Sequence, residues 1–127
     1  MVRIAITGAA GLFGKGLQKV MEEAHEVTGL RHSELDITER DQVLRVFTEL
    51  GPELIVHTAA LPDIDYCETH PDEAQLVNVQ GTRNLVDAAV VTGAGLVHIS
   101  TDAVFDGQKR TPYVESDVTN PISVYGH

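Results

Sequence analysis

A chain of 127 residues with a formal charge of −10 is long enough for one domain with a proper core, and too acidic to suit nucleic acid or an anionic membrane surface as partner. Its 43% hydrophobic and 22% charged residues are those of an ordinary globular protein, and no apolar run approaches the roughly 18 residues a membrane span needs. A single cysteine, Cys67, excludes an internal disulfide and points to a reducing, cytoplasmic setting; Met1 leading straight into a strand predicts no secretory leader.

Val2, Ile4 and Ile6 alternate with Arg3 and Ala5, as one face of a buried strand does. The chain then turns through Gly8, Gly11 and Gly14 into a helical pattern. Strand, Gly-x-x-Gly-x-x-Gly, helix is the order in which proteins hold the pyrophosphate of a dinucleotide. Gly8 permits the tight turn, Gly11 lets backbone approach phosphate, and Gly14 lets the helix pack closely; the helix N–H groups and positive dipole end face the anion. Local backbone dipoles and a few cations can hold phosphate within an acidic protein, because the diffuse field is screened beyond about 10 Å.

The first helix is predicted from about Gly11 to Glu23, with Phe13, Leu17, Val20 and Met21 packing on the sheet. Glu26 to Leu30 is a second strand. Thr38 followed by Asp41 resembles a capping box opening a helix whose Val43, Val46, Phe47 and Leu50 share a face, ended by Gly51-Pro52. Leu54-Ile55-Val56 is uniformly apolar, as a buried parallel strand is. After a loop around Leu61 to Thr69, a long helix is expected from about Pro71 to Thr92, with Val77, Gly81, Leu85, Ala88 and Ala89 inward. Leu96 to Ser100 is a fourth strand; Thr101 to Pro121 reads as loop, and a new helix is expected near Ile122.

Alternating strands and helices define an α/β, doubly wound parallel sheet of the Rossmann type, truncated after about four strands, with expected strand order 3-2-1-4. Ligands then bind beyond the carboxyl ends of the strands, where Thr7-Gly8, His57-Thr58-Ala59-Ala60 and Ser100-Thr101-Asp102 converge. An NAD-selective site usually ends the second strand with an acid. Here the run is Thr28-Gly29-Leu30-Arg31-His32, and Arg31 can pair with a 2′-phosphate, which favours NADP(H) while leaving a solvated loop arginine as the competing reading.

The segments TGAAGLFG, Leu35-Asp36-Ile37, HTAALPDIDYCE, VNVQGTRNL, HISTDAVFDG and PYVESDVTNPISVYG, in this order over essentially the whole chain, resemble the extended short-chain dehydrogenase/reductase family. Within it they are most similar to the dTDP-4-dehydrorhamnose reductases, which reduce a 4-keto sugar nucleotide with NADPH or NADH. The resemblance implies that Gly8, Gly11, Leu12, Phe13, Gly14 and Arg31 serve the cofactor, that Asp36 and Ile37 contact adenine, and that Ala59 and Ala60 line the path from pyrophosphate to nicotinamide. Asn78 matches the helix asparagine that orders the active site, Thr101 the hydroxyl that binds the substrate carbonyl, and Tyr125 the catalytic tyrosine. NADP(H) is the preferred cofactor, with NAD(H) also accepted by some members. A sugar nucleotide is the implied substrate and a homodimer one allowed assembly.

The chain also departs from the family pattern. The lysine usually found four positions after the tyrosine would lie past His127, which reads as an N-terminal fragment, residues 1–127, lacking the substrate lobe and inactive alone. Gly16 stands where some rhamnose-pathway reductases carry a metal-binding glutamate, so no metal is expected, and Ala103 replaces a frequent tyrosine. Two other readings stay open: a non-catalytic NADP-binding regulatory subunit resembling that of methionine adenosyltransferase, and a sugar-nucleotide epimerase or dehydratase.

Of the remaining residues, Thr101 and Ser100 can simply cap backbone at a strand end. His57 and His98 read as packed, hydrogen-bonded histidines on buried strands. The other histidines show no zinc spacing with Cys67, itself read as a passive thiol. Lys15 and Lys19 read either as helping to neutralise phosphate or as solvated helix lysines, and Asp65 and Glu68 as side chains that could face substrate.

Overall fold

A computed structural model describes residues 1–127. Four parallel strands, β1 (Arg3–Thr7), β2 (Glu26–Leu30), β3 (Leu54–His57) and β4 (Gly95–His98), form one sheet in the order β2-β1-β3-β4. The connections carry α1 (Leu12–Met21), α2 (Arg40–Leu50), the short α3 (Ile64–Thr69) and α4 (Pro71–Ala74), a π-helical segment (Gln75–Gln80) and α5 (Gly81–Thr92). No helix is long and apolar enough to cross a membrane.

The helices cover both faces. On one, Ile4, Ile6 and Val56 pack with Leu17 and Met21 of α1. On the other, Ala5 and Ile55 pack with Val43 and Phe47 of α2 and Leu85, Ala88 and Ala89 of α5. The alternation Ile4, Ala5, Ile6 divides β1 between the two cores, as the strand period of two requires. Phe13 and Val20, expected on the sheet, are 56% and 64% exposed, so the α1 contact narrows to Leu17 and Met21.

The strand order corrects the expected 3-2-1-4. The chain steps from β1 outward to β2, then crosses back over β1 to lay β3 on its other edge, in register Ile4 with Leu54 and Thr7 with His57. Right-handed crossovers in opposite directions place their helices on opposite faces, so α1 lies on one side and α2 on the other. The step from β3 to β4 continues the second direction and puts α5 beside α2, where Val43 and Phe47 meet Leu85 and Ala88. The order therefore reverses between β1 and β3.

Four local expectations also change. Thr38 does not cap α2: Glu39 stands at that end, and Thr38 donates its hydroxyl to Asp36 Oδ1 at 2.7 Å. The loop after β3 holds α3, capped by Asp63, whose Oδ1 accepts the Tyr66 N–H at 2.9 Å. The long helix is broken by the π-helical turn. Near Ile122 the chain makes a turn closed by Gly126 and His127 N–H onto the Ser123 carbonyl, not a helix. Fourteen residues upstream of Asn120, Asp106 accepts from its side-chain amide, from Tyr113 Oη and from Gln108 N–H, closing the loop between them into a compact unit.

Candidate nucleotide and reductase site

The glycine turn is set by close approach. Gly8 has φ +72°, and a Cβ there would lie 2.7 Å from the Ala59 nitrogen and 2.8 Å from Thr58 Oγ1, so only glycine lets the β1 end meet the β3 end. Gly14 is buried, and a Cβ would overlap the Gly8 carbonyl oxygen and lie 3.0 Å from Ala9 Cα, so the helix closes on the turn itself. Gly11 caps α1 with no side-chain hydrogen bond, leaving the first helical amides bare of protein side chains. That bare, positively polarised end fits the needs of a pyrophosphate.

Beyond the carboxyl ends of β1 and β3 lies a cavity of about 460 Å³, with Gly8, Gly11, Asp36, Ile37, Ala59 and Ala60 on its walls. Asp36 Oδ1 accepts the Thr38 N–H at 2.9 Å as well as its hydroxyl, and these bonds hold the carboxyl below its ordinary range. Its carboxylate is thus oriented and ionised, suited to accept from an amine. Ile37 is buried beside it against Gly81.

A second pocket of about 180 Å³ shares Ala59 and Ala60 with the first and brings together Asn78, Thr101 and Tyr125. Asn78 Oδ1 accepts the Leu61 N–H at 2.8 Å and its Nδ2 donates to the Leu61 carbonyl at 3.0 Å, which pins the wall common to both cavities. Thr101 Oγ1 accepts the Ala103 N–H at 3.1 Å, so it does cap a strand-end turn (Asp102–Val104) while lining the pocket. Tyr125 is half-buried there.

Other residues fall elsewhere. Leu12 and Phe13, expected at the cofactor, are 95% and 56% exposed and line neither cavity, because the first turn of α1 directs their side chains to solvent. Arg31 lies outside the main cavity in an open depression with Lys15 and Lys19, joined to the cavity through Ala10. Its own N–H donates to Glu34 Oε2 at 2.9 Å, and its guanidinium makes no ion pair. Glu68 accepts the Val124 N–H at 2.6 Å, holding the turn that carries Tyr125, and neither Glu68 nor Asp65 lines either cavity. Burial pushes the Cys67 thiol above its ordinary value, with Asp63, Glu68 and Glu73 adding to it.

His57 is fully buried on β3, and burial, helped by nearby His98, lowers its pKa to about 4. His98 is exposed, against expectation, since β4 is the sheet edge; its ring lies 5.2 Å from that of His57. Sequence reasoning missed Asn84, whose Nδ2 donates to the Ile37 and Thr38 carbonyls at 2.8 and 3.2 Å and holds the cavity wall. A polar residue at helical spacing between Gly81 and Ala88 on an apolar stripe was the available signal, because a buried amide needs partners. Glu73, Leu76 and Val77, further cavity walls, carried no such signal.

The doubly wound sheet and its crevice define a Rossmann-type α/β protein. A family model described as RmlD substrate binding domain matches residues 2–127, and the chain belongs to that family. It is 40% identical over 128 residues to a dTDP-4-dehydrorhamnose reductase of Aggregatibacter actinomycetemcomitans, covering 99% of this chain and 44% of the relative. The crystal structure of dTDP-4-dehydrorhamnose reductase from Bacillus anthracis str. Ames in complex with NADP superposes with a TM-score of 0.94 at 40% identity, over 99% of this chain and 46% of that one. Methionine adenosyltransferase 2 subunit beta of Bos taurus is 37% identical over 98% of this chain and 39% of its own length. The chain thus spans less than half the length of these relatives.

Proposed function

We propose that this chain is the cofactor-binding portion of an NADP(H)-dependent reductase acting on the ketone of a 4-keto sugar nucleotide. The observation that carries the reading is the shared wall Ala59–Ala60, which lines both the glycine-turn cavity and the pocket holding Thr101 and Tyr125. Asp36 and Ile37 would hold the adenine, the bare α1 amides the pyrophosphate, and Arg31 a 2′-phosphate; NAD(H) would be the weaker ligand. When bound, the nicotinamide supplies the hydride.

Thr101 would donate a hydrogen bond to the substrate carbonyl and lean it toward developing negative charge, at the loss of its present long contact to Asp102 Oδ1 at 3.4 Å. Tyr125 Oη would give its proton to the alkoxide as it forms. An unperturbed phenol titrates near 10, so the reading needs a cation beside the tyrosine, the part the family pattern assigns to a lysine four positions on. The turn that carries Tyr125 is held by Glu68 through Val124 N–H, which makes Glu68 a support for the proton donor.

The test is made on two preparations. The 127-residue chain should bind NADPH more tightly than NADH and turn over no sugar nucleotide. A polypeptide extended to the length of the relatives should reduce a dTDP-4-keto-6-deoxyhexose, and Tyr125→Phe should lower its kcat by at least 10²-fold. Unchanged kcat in that variant would remove the proton-donor role. NADPH binding with no reduction in the extended protein would favour a non-catalytic binding subunit, the reading supported by the likeness to methionine adenosyltransferase 2 subunit beta.

A further inference from the structure

One buried network is used by nothing above. Thr82 Oγ1, on the first turn of α5, donates to the Asn78 carbonyl at 2.6 Å. That carbonyl can only accept, so the single Thr82 proton is committed, and toward His57 Nε2, 3.1 Å away, the hydroxyl oxygen must accept. His57 therefore carries its proton on Nε2. Burial keeps the ring neutral, so Nδ1 is an acceptor, and it takes the Thr7 hydroxyl proton at 2.7 Å. The directions are then all assigned: Thr7 to His57 to Thr82 to the carbonyl of Asn78, whose side chain grips Leu61.

We propose that His57 is a positioning residue: its ring, bridging Thr7 at the end of β1 to Thr82 and Asn78 on the π-helical turn, fixes Leu61 and so the adjoining Ala59–Ala60 wall shared by the two cavities. Asn78 lies on the π-helical stretch Gln75–Gln80, where its carbonyl accepts the Thr82 hydroxyl and its side-chain amide holds Leu61. The ring must present an acceptor to Thr7 on one side and a donor to Thr82 on the other. A methyl or a carboxylate in its place cannot do both. Its value to ligand binding rests on the nucleotide reading above, while the network itself does not.

The experiment uses the 127-residue chain labelled with ¹⁵N. The imidazole ¹⁵N shifts of His57 at neutral pH should report the Nε2–H tautomer; an Nδ1–H ring overturns the proposal and needs no variant that folds. Thr82→Val removes the bridge at nearly constant shape. Exchange of the Leu61 amide should then rise about tenfold, the factor a single lost hydrogen bond supplies, and Thr82→Ser should restore it. Unchanged Leu61 exchange in Thr82→Val, or a serine variant that behaves like valine, also overturns it. Affinity for NADPH, measured on the same samples, should fall several-fold with valine and recover with serine. If the wild-type chain binds no NADPH at all, the nucleotide reading fails, and the tautomer and the Leu61 amide still decide the network.

Discussion

Asn78 holds Leu61 by both of its backbone groups, with Oδ1 taking the N–H at 2.8 Å and Nδ2 giving to the carbonyl at 3.0 Å, across seventeen residues of sequence. A primary amide is the one neutral side chain of this length that presents an acceptor and a donor side by side, so the match to a peptide unit is specific. Asn78→Ala should leave both Leu61 groups short of partners and cost about 1–3 kcal/mol. Asn78→Asp should fare little better, because a carboxylate has no donor for the carbonyl. Urea unfolding checks both; equal stability of either variant with the parent would mean that the clasp carries no energy.

Acid should destabilise the fold through His57. Its folded pKa is about 4, below the 6.5 of an unfolded histidine, so between those values the unfolded chain binds the additional proton. The stability is complete above pH 6.5 and is lost as pH falls toward 4, by roughly 2–3 kcal/mol at pH 4.5. Asp36, Asp106 and Asp117 have lowered pKa values, held by bonds from Thr38, from Asn120 and from Lys109 respectively. Their stabilisation is present above the ordinary carboxylate range and disappears below it, so their window lies under that of His57. Thermal melts from pH 7 to 4.5 in the parent and in His57→Gln separate the two, since only the parent should slope through this range.

Much of this architecture was legible because it is local. Apolar periodicity located the four strands and the main helices, and the glycine spacing located the turn, since Gly8 and Gly14 stand where a Cβ would strike backbone. Asp36, Ile37, Ala59 and Ala60 share one cavity, and Asn78, Thr101 and Tyr125 the other, because the segments that follow the carboxyl ends of parallel strands gather at one edge of the sheet. Strand order was not legible. It depends on α2 choosing the face of α5, and the apolar stripe Val43–Phe47 reads the same on either face. Exposure of His98 and of Phe13 likewise follows from which strand is the edge and how α1 is rotated, both decided by packing between distant segments.

Gly14 and Gly11 of the turn should divide by role. Gly14→Ala puts a methyl into the Gly8 carbonyl and beside Ala9 Cα, where backbone cannot yield, and should cost about 1–3 kcal/mol, lowering Tm by roughly 5–10 °C. Gly11→Ala meets only the Gly8 carbonyl oxygen at 3.2 Å and otherwise faces open space, so Tm should move little. The added methyl at Gly11 nonetheless stands at the uncapped helix end, and NADPH affinity should drop. Calorimetry paired with a fluorescence titration tests the split, and a Gly11 variant that binds NADPH as the parent does would remove the pyrophosphate from this turn.

On the proposed reading, Arg31 sets the preference for NADPH over NADH. It directly follows β2 in a depression with Lys15, Lys19 and Glu22, makes no ion pair, and the depression meets the main cavity at Ala10. On the proposed reading, these three cations, with Glu22 as the one acid among them, gather local positive charge beside the cofactor in a chain whose net charge is −10. A guanidinium–phosphate bond is charge-assisted and contributes about 1.5–3 kcal/mol, so Arg31→Ala should weaken NADPH by roughly 10–100-fold and leave NADH within about twofold. Raising ionic strength should erode the NADPH advantage of the parent more than that of the variant, because the variant keeps only Lys15 and Lys19 as cations in the depression. Equal losses for the two cofactors would assign Arg31 to the scaffold and return the 2′-phosphate to the lysines of α1.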